Sequence, residues 1–530
     1  MNRGQSEFGS LMECILNRNI AVWRTIAAPT LLLLLSIWSG DSQLQAEDSS
    51  TENSPPNILF MLVDDVGWRD LHCYGNELAV TPAIDRLAAS GVRFSQAYAP
   101  APICSASRAA VLTGRTPARL NFEFVTKESA GTQQIPGVRL RTPPYTLQLP
   151  LNEVTIAEML QMAGYTTAFF GKWHLNAHYG RYLGWSPDFG PQAQGFQLAI
   201  EDFGGHPYGR SAAEDTRAAR QLKPGEFPAD SMTDHAIEFL QQQRRQQNQP
   251  PFFLMVSHFY VHVPVRSQAQ WLTDQFAARK DVQSARVSPE YLAFLRIMDH
   301  QIGRLLEALE DSGMAANTLV VLLSDNGGDP KFSRHAPLRG HKWTLYEGGI
   351  RVPMLMRWPE RLPAGIESPV IASGCDLLPT FAEAAGVETG ALPQLDGRSL
   401  LPNLKENSAE SEERPLLWHF PYYHPERDVT DLPVIAGIND PRTPFLEPHS
   451  AIRLGRWKGV FYYDRQEFEL FDLQSDLSEQ QNLATRHPEQ AGRMRQLLHR
   501  QLMKVGARLP QRQVAGTEQW ADVIVWPAVP

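Results

Sequence analysis

The chain has 530 residues, 43% of them hydrophobic and 20% charged, which excludes a disordered or low-complexity protein and suits a globular one with a large core. Lys and Arg number 49 against 58 Asp and Glu, and a net charge of −9 without long basic runs argues against nucleic acid as a partner. Four cysteines (Cys14, Cys73, Cys104 and Cys375) are too few for a disulfide-built scaffold and do not make a four-cysteine zinc cluster.

Arg18 and Arg24 precede an apolar stretch, Ile26 to Trp38, that is short of the about 20 apolar residues a bilayer span needs. Small and polar residues follow and end at Leu44-Gln45-Ala46, so residues 1–46 read as an export signal cleaved near Ala46, with a membrane anchor as the alternative. The mature protein is then periplasmic or secreted. Residues 47–56 are a polar lead-in with two prolines. From residue 57 an α/β rhythm begins. Asn57 to Val63 is a continuous apolar run, as in a strand buried on both faces. Thr81-Pro82 opens a helix that Gly91 closes, with Thr as its cap. Thr155 to Ala163 is a helix, Thr166 to Phe170 a strand, and Phe252 to Ser257 another strand. Ser288-Pro289 starts a long helix ended by Gly313, and Thr318 to Ser324 is again a buried strand. This alternation predicts a large, mostly parallel mixed sheet sandwiched by helices over 57–404. Lys405 to Arg414 is a charged linker. Short strands within Ala451 to Tyr463 and Phe468 to Leu473, then an amphipathic helix over Pro488 to Val505, predict a smaller α+β region over 405–510. Residues 511–530 are a tail.

Polar residues gather where the predicted strands end. Asp64-Asp65 follow the first, Lys172 and His174 follow Thr166 to Phe170, His258 and His262 follow Phe252 to Ser257, and Asp325-Asn326 follow Thr318 to Ser324. In open α/β sheets the carboxyl ends of the strands form the ligand crevice. Asp64, Asp65, Asp325 and Asn326 offer only oxygen, a set that suits Ca²⁺ or Mg²⁺ over zinc. No glycine loop able to cradle phosphate follows a strand, so a kinase or nucleotide-binding protein has no support.

The run Cys104-Ser105-Ala106-Ser107-Arg108, continuing to Thr113-Gly114-Arg115, resembles the sulfatase signature Cys-x-Pro-Ser-Arg, with Ala106 in place of the usual proline. The resemblance extends from about Asn57 to Ala484 and includes NILFMLVDDVG, TPAIDRLAASGVR, Gly171 to His174, His262 with Pro264, Ser324 to Gly328, GHKWTLYEGGIRVP, DLLPT and the stretch Glu469 to Leu483. It implies a formylglycine-dependent fold of the arylsulfatase A-like type, within the alkaline phosphatase superfamily. Cys104 is then oxidised to formylglycine by a maturation enzyme, and one hydroxyl of its hydrate attacks sulfur while the second permits release of sulfate. Asp64, Asp65, Asp325 and Asn326, with residue 104, are implied to hold Ca²⁺, with Mg²⁺ as the other candidate. Arg108 orients the hydrate, Lys172 and Lys342 bind sulfate oxygens, His174 takes the proton of the second hydroxyl, and His262 protonates the leaving oxygen together with Lys342. His258 and His341 read as structural. The family's additional sulfate-binding residue is not carried over, because Gly195 to Arg210 does not align.

A sulfated carbohydrate or aryl sulfate is the implied substrate. Trp418 to Arg427 supplies aromatic and basic residues, and Tyr422, Tyr423, His424 and Arg427 are a candidate sugar subsite, with interdomain packing as the other reading. Cys73 and Cys375 either form one disulfide or stay unpaired. The rival functions are a phosphomonoester or phosphonate ester hydrolase of the same superfamily and an exported glycan-binding pseudoenzyme.

Overall fold

Asn57–Val63 (β1) becomes the centre of the molecule because every one of its side chains after Asn57 is apolar and buried. In the computed structural model, which describes residues 54–209, 222–245, 250–359, 361–405, 414–426 and 446–525, Ile58, Phe60 and Leu62 enter the core on one face of the sheet and Leu59, Met61 and Val63 that on the other. This two-faced burial is what a continuous apolar run requires. The strands Val92–Tyr98 (β2), Thr166–Gly171 (β3), Leu198–Ile200 (β4), Phe252–Ser257 (β5), Thr318–Ser324 (β6), Met354–Arg357 (β7) and Ile366–Ser373 (β8) complete an eight-stranded sheet. Its order is β4-β3-β5-β1-β6-β7-β2-β8, and only β7 runs antiparallel to its neighbours.

Helices cover both faces. Pro82–Ala89 (α1), Ser231–Arg245 (α4) and Pro289–Asp311 (α5) lie on one, and Cys104–Thr113 (α2), Ile156–Met162 (α3) and Leu377–Ala384 (α6) on the other. Thr155 and Glu158 form the capping box of α3, and Ser288 caps α5. Thr81 departs from its expected role: its hydroxyl accepts from the His72 N–H and donates to Asp85 instead of capping α1. The first N–H groups of α1 go to the buried Asp299 carboxylate of α5, 3.3 Å from Ala83 N and 2.9 Å from Ile84 N. A tertiary contact has replaced a local cap.

The second sheet is antiparallel: Leu416–Phe420 (β9), His449–Leu454 (β10), Trp457–Tyr462 (β11) and Glu467–Asp472 (β12). Pro488–Val505 (α7) lays Met494, Leu498 and Leu502 on one side of it. The other side, with Trp418, Phe420, Val460 and Phe471, shares a core with Tyr98, Ile103, Ala106 and Leu345 of the first region. Gln511–Gln513 and Trp520–Asp522 pair with each other, and the former also with Leu140–Arg141. Contacts make Pro55 to Pro530 one compact unit. Residues 1–46, where an export signal is predicted, most of the predicted linker and Arg427 lie outside the described residues, and no helix among the described residues is long and apolar enough to cross a membrane.

Cys73 and Cys375 are free thiols, so the disulfide alternative falls. Cys73 packs with the core on the α1 face, whereas Cys375 lies beside the N-terminus of α6, on the other face.

Candidate active site

The central strands end at one edge, and their register brings their next residues together. Asp64 N donates to Tyr260 O, Asp325 N to Val63 O, and Lys172 N to Ser257 O, so the three loops are tied at their roots. Gly171 permits the last of these: its φ is 107°, and a Cβ there would meet Ser257 O at 2.1 Å. The helix α2 enters from the side with all ten residues buried and Cys104 in its first turn.

Carboxylate oxygens of Asp64 and Asp65, Cys104 Sγ and a ring nitrogen of His262 all lie within 4.8 Å of one another. Cys104 Sγ is 3.6 Å from Asp64 Oδ1. Asp325 adjoins this cluster, with Oδ1 accepting from Asp65 N at 3.2 Å, and Asn326 Nδ2 donates to Asp65 Oδ1 at 2.7 Å. Lys172 Nζ reaches Asp64 Oδ2 at 2.5 Å, and Lys342 Nζ reaches Asp65 Oδ2 at 2.7 Å. Arg108 is a clamp: Nε donates to Asp325 Oδ2 at 2.9 Å, and Nη1 to Lys172 O at 2.8 Å and Ser257 Oγ at 2.5 Å. One guanidinium thus binds the ends of β3, β5 and β6 (fixed fork geometry suits this task). All ten residues singled out in the sequence surround this point. His258 and His341 are buried beside it, and His341 Nδ1 is spent on Lys342 O at 2.6 Å.

Electrostatics set the protonation states. Three carboxylates, Asp64, Asp65 and Asp325, face three cations, Arg108, Lys172 and Lys342, all nearly without solvent. Burial and the charge of Asp64 push Asp325 up to about 6. Burial would also raise Asp65, but Lys342, His262 and Lys172 outweigh it and hold Asp65 well below the usual carboxylate range. For Lys172 and Lys342 burial opposes the charge, and the carboxylates override it and raise both. Burial pushes the Cys104 thiol up to about 12, so the unmodified side chain is a neutral thiol near pH 7 and a poor nucleophile. Burial and then the neighbouring cations drive His174 well below its ordinary value and His262 down to about 3. His174 Nδ1 is buried with no hydrogen-bond partner.

Three non-glycine residues here take the left-handed backbone: Asp65 (φ 61°), His174 (φ 57°) and Trp343 (φ 81°). Such conformations cost roughly 1–2 kcal/mol each and gather at functional sites.

A divalent cation fits the donors present. Asn326 Oδ1 is buried without a hydrogen-bond partner, and it adjoins the carboxylates. The set is rich in hard oxygen. The site is charge-balanced as it stands, and a divalent ion would make it net positive and receptive to an anionic ester.

Above the cluster opens a cleft of about 840 Å³ lined by residues that include Cys104, Lys127, Tyr145, His174, His178, Tyr182, His262, Lys342 and Trp343. The family description Sulfatase matches residues 56–387, and a second, N-sulphoglucosamine sulphohydrolase, C-terminal, matches 340–508. The chain belongs to the sulfatase family. It is a sulfuric ester hydrolase. Arylsulfatase A of Homo sapiens is 33% identical to this sulfatase over 77% of the chain and 75% of its own length. N-acetylgalactosamine-6-sulfatase of Canis lupus familiaris is 32% identical over 69% of the chain and 68% of its own. The crystal structure of Ps i-CgsB in complex with k-i-k-neocarrahexaose superposes with a TM-score of 0.66 at 26% identity, covering 85% of this sulfatase and 93% of that chain.

The sugar subsite expected at Tyr422 and Tyr423 is corrected. Both tyrosines are 0% exposed: Tyr422 packs on Phe124 with ring centroids 4.5 Å apart, and Tyr423 Oη takes the Leu140 N–H. These rings build the shared core, which is the packing alternative. His424 differs from them. It stacks on Trp343 at 3.8 Å and 9°, and Trp343 forms a wall of the cleft. The sequence reading also missed the stretch before Arg210, where His206 and Tyr208 contact His262. Its only sequence signal was a His-Pro-Tyr triplet, which carries no spacing rule.

Proposed function

We propose that this sulfatase removes sulfate from a sulfated carbohydrate, using formylglycine made from Cys104 by a maturation enzyme and a Ca²⁺ ion held by Asp64, Asp65, Asp325, Asn326 and residue 104. The carrying observation is the meeting of Cys104 with Asp64, Asp65 and His262 within 4.8 Å at the floor of the cleft. Carbohydrate is favoured because the relatives named above include an N-acetylgalactosamine-6-sulfatase and a neocarrahexaose complex.

Cys104 Sγ marks the place of an oxygen of the aldehyde hydrate. That hydrate would supply the nucleophile which a neutral thiol cannot, and a cation held by the carboxylates and Asn326 would polarise the sulfate and offset its charge. Arg108 holds the strand ends and thereby the carboxylates in register. Lys172 and Lys342 bring ammonium charge to the sulfate oxygens. His174 is neutral with an unpartnered nitrogen, so it can accept the proton of the second hydroxyl as sulfate leaves. His262 is depressed by burial and by the Lys342 and Lys172 ammoniums. A bound ester carries negative charge to those ammoniums and offsets their part of the depression, and Nε2 is the nitrogen that would carry the proton the leaving oxygen needs. Export, read from residues 1–46, is part of this proposal, and the N-terminal sequence of the secreted protein tests it.

The decisive experiment compares matched aryl sulfate and aryl phosphate esters with Ca²⁺, on protein whose Cys104 peptide has the mass of the aldehyde form, with Cys104→Ala as control. Sulfate turnover that the control abolishes supports the proposal. A preference for phosphate would overturn the substrate class.

A further inference from the structure

His262 lies in the loop after β5, yet its ring is fixed from a different segment. Its Nδ1 is 2.7 Å from Val263 O and 2.6 Å from Tyr208 Oη. A carbonyl can only accept, so Nδ1 carries the proton, and the phenol oxygen accepts from the same N–H. Nε2 is therefore the ring nitrogen free to exchange a proton. It faces the floor, 3.6 Å from Asp65 Oδ2.

A second histidine holds this arrangement together. His206 Nε2 lies 2.9 Å from His262 O, and His206 Nδ1 takes the Tyr208 N–H at 3.3 Å. The first contact makes Nε2 the donor, and the second makes Nδ1 the acceptor, so only the neutral tautomer satisfies both. His206 is 1% exposed and burial keeps it neutral. It links the backbone of Tyr208 to that of His262. The Tyr208 ring is set edge-on against Tyr182 at 5.6 Å, Phe203 at 5.9 Å and Phe259 at 5.7 Å, which fixes the direction of its hydroxyl.

We infer that Tyr208, braced by His206, is a positioning residue that holds the ring of His262, whose tautomer the Val263 carbonyl sets, and aims its Nε2 at the leaving oxygen. This rests on the reading of His262 as the leaving-group acid. Its signature is a loss that grows as the departing alcohol becomes a poorer leaving group, because protonation then matters more. A residue that grips sulfate, or one that merely supports the fold, costs the same with every leaving group.

The test is kcat/KM of the matured full-length enzyme on a series of aryl sulfates from 4-nitrophenyl to 4-methoxyphenyl, with Tyr208→Phe, His262→Ala and the double variant. Tyr208→Phe keeps the ring and removes only the oxygen. We expect about a twofold loss with the nitrophenyl ester and about tenfold with the methoxyphenyl ester, chiefly in kcat. His262→Ala should steepen the same dependence further, and the double variant should match His262→Ala alone. A uniform loss across the series in Tyr208→Phe, or an additional loss in the double variant, overturns the positioning role while leaving His262 as the acid. If His262→Ala itself loses activity uniformly, the acid assignment falls, and the role of Tyr208 falls with it.

Discussion

The floor of the cleft and its rim are built on opposite terms. The floor is made of Asp64, Asp65, Cys104, Arg108, Lys172 and Asp325, none more than 2% exposed. These come from strand ends and one buried helix, and their charges answer one another. The rim is made of loop residues such as Lys127, Tyr145, His178, Tyr182, Trp343 and His424, which are half-buried or exposed. Its ion pair, Lys127 with Glu426, is open to water on both sides. Removing a floor group leaves an unpaired charge in low dielectric, whereas removing a rim group leaves one that water can solvate. The floor is thus held stiffly and the rim loosely, which suits the proposal that puts the chemistry in the floor and leaves selectivity to the rim.

The contrast predicts a graded set of effects. Cys104→Ala should lower kcat on any sulfate ester by on the order of 10⁴-fold or more, with the melting temperature little changed, since a small buried side chain is lost. Residual turnover within tenfold of the parent would show that the floor does not work through residue 104. The second effect concerns a buried charge outside the cleft. Lys458 is 0% exposed between Glu347 and Glu479, 2.9 Å from each, and Glu347 opens the short helix Glu347–Ile350 that follows Lys342. Lys458→Met should cost about 3–5 kcal/mol in urea denaturation, because it leaves the buried Glu479 without its cation and removes one of the two cations, with Arg351, that pair with Glu347. A cost below about 1 kcal/mol would place this network with rim pairs. Third, chelation should abolish activity and lower the melting temperature, and Ca²⁺ at a hundredfold excess over its Kd should restore about 2.7 kcal/mol of stability. An unchanged melt would break the link between floor carboxylates and a cation. The smallest effect is at the rim. His424→Ala removes the ring stacked on Trp343 and should raise KM for a sulfated oligosaccharide several-fold, by about 0.5–1.5 kcal/mol, with kcat/KM on 4-nitrophenyl sulfate within twofold. Equal losses on both substrates would show that the stack supports Lys342 rather than sugar.

How much of this was legible depends on the range of the forces involved. β1, β5 and β6 announce themselves because a strand buried on both faces must be apolar throughout, and the residue that ends the run is the first that can be polar. Asp64, His258 and Asp325 were found at such places. β9 was missed because Leu416–Phe420 blends into an aromatic stretch, and aromatic residues read alike as core or as sugar platform. Tyr422 and Tyr423 were misassigned for the same reason: nothing local says whether a ring faces solvent or Phe124. The cap of α1 was misread because Asp299, more than 200 residues away, supplies what Thr81 was expected to give.

The α/β class, the strand ends at which the polar residues gather and, through the run beginning at Cys104, membership of the sulfatase family were legible in the sequence alone. These follow from periodicity and from local runs of residue types, which are written in neighbouring positions. Tertiary structure alone decided that three carboxylates and three cations balance at one point, that Arg108 ties three strand ends, and that His206 and Tyr208 hold His262. It also decided that Cys73 and Cys375 stay unpaired on opposite faces of the sheet. Each of these is a matter of distance between side chains remote along the chain, set by sheet register and packing, which no local pattern encodes.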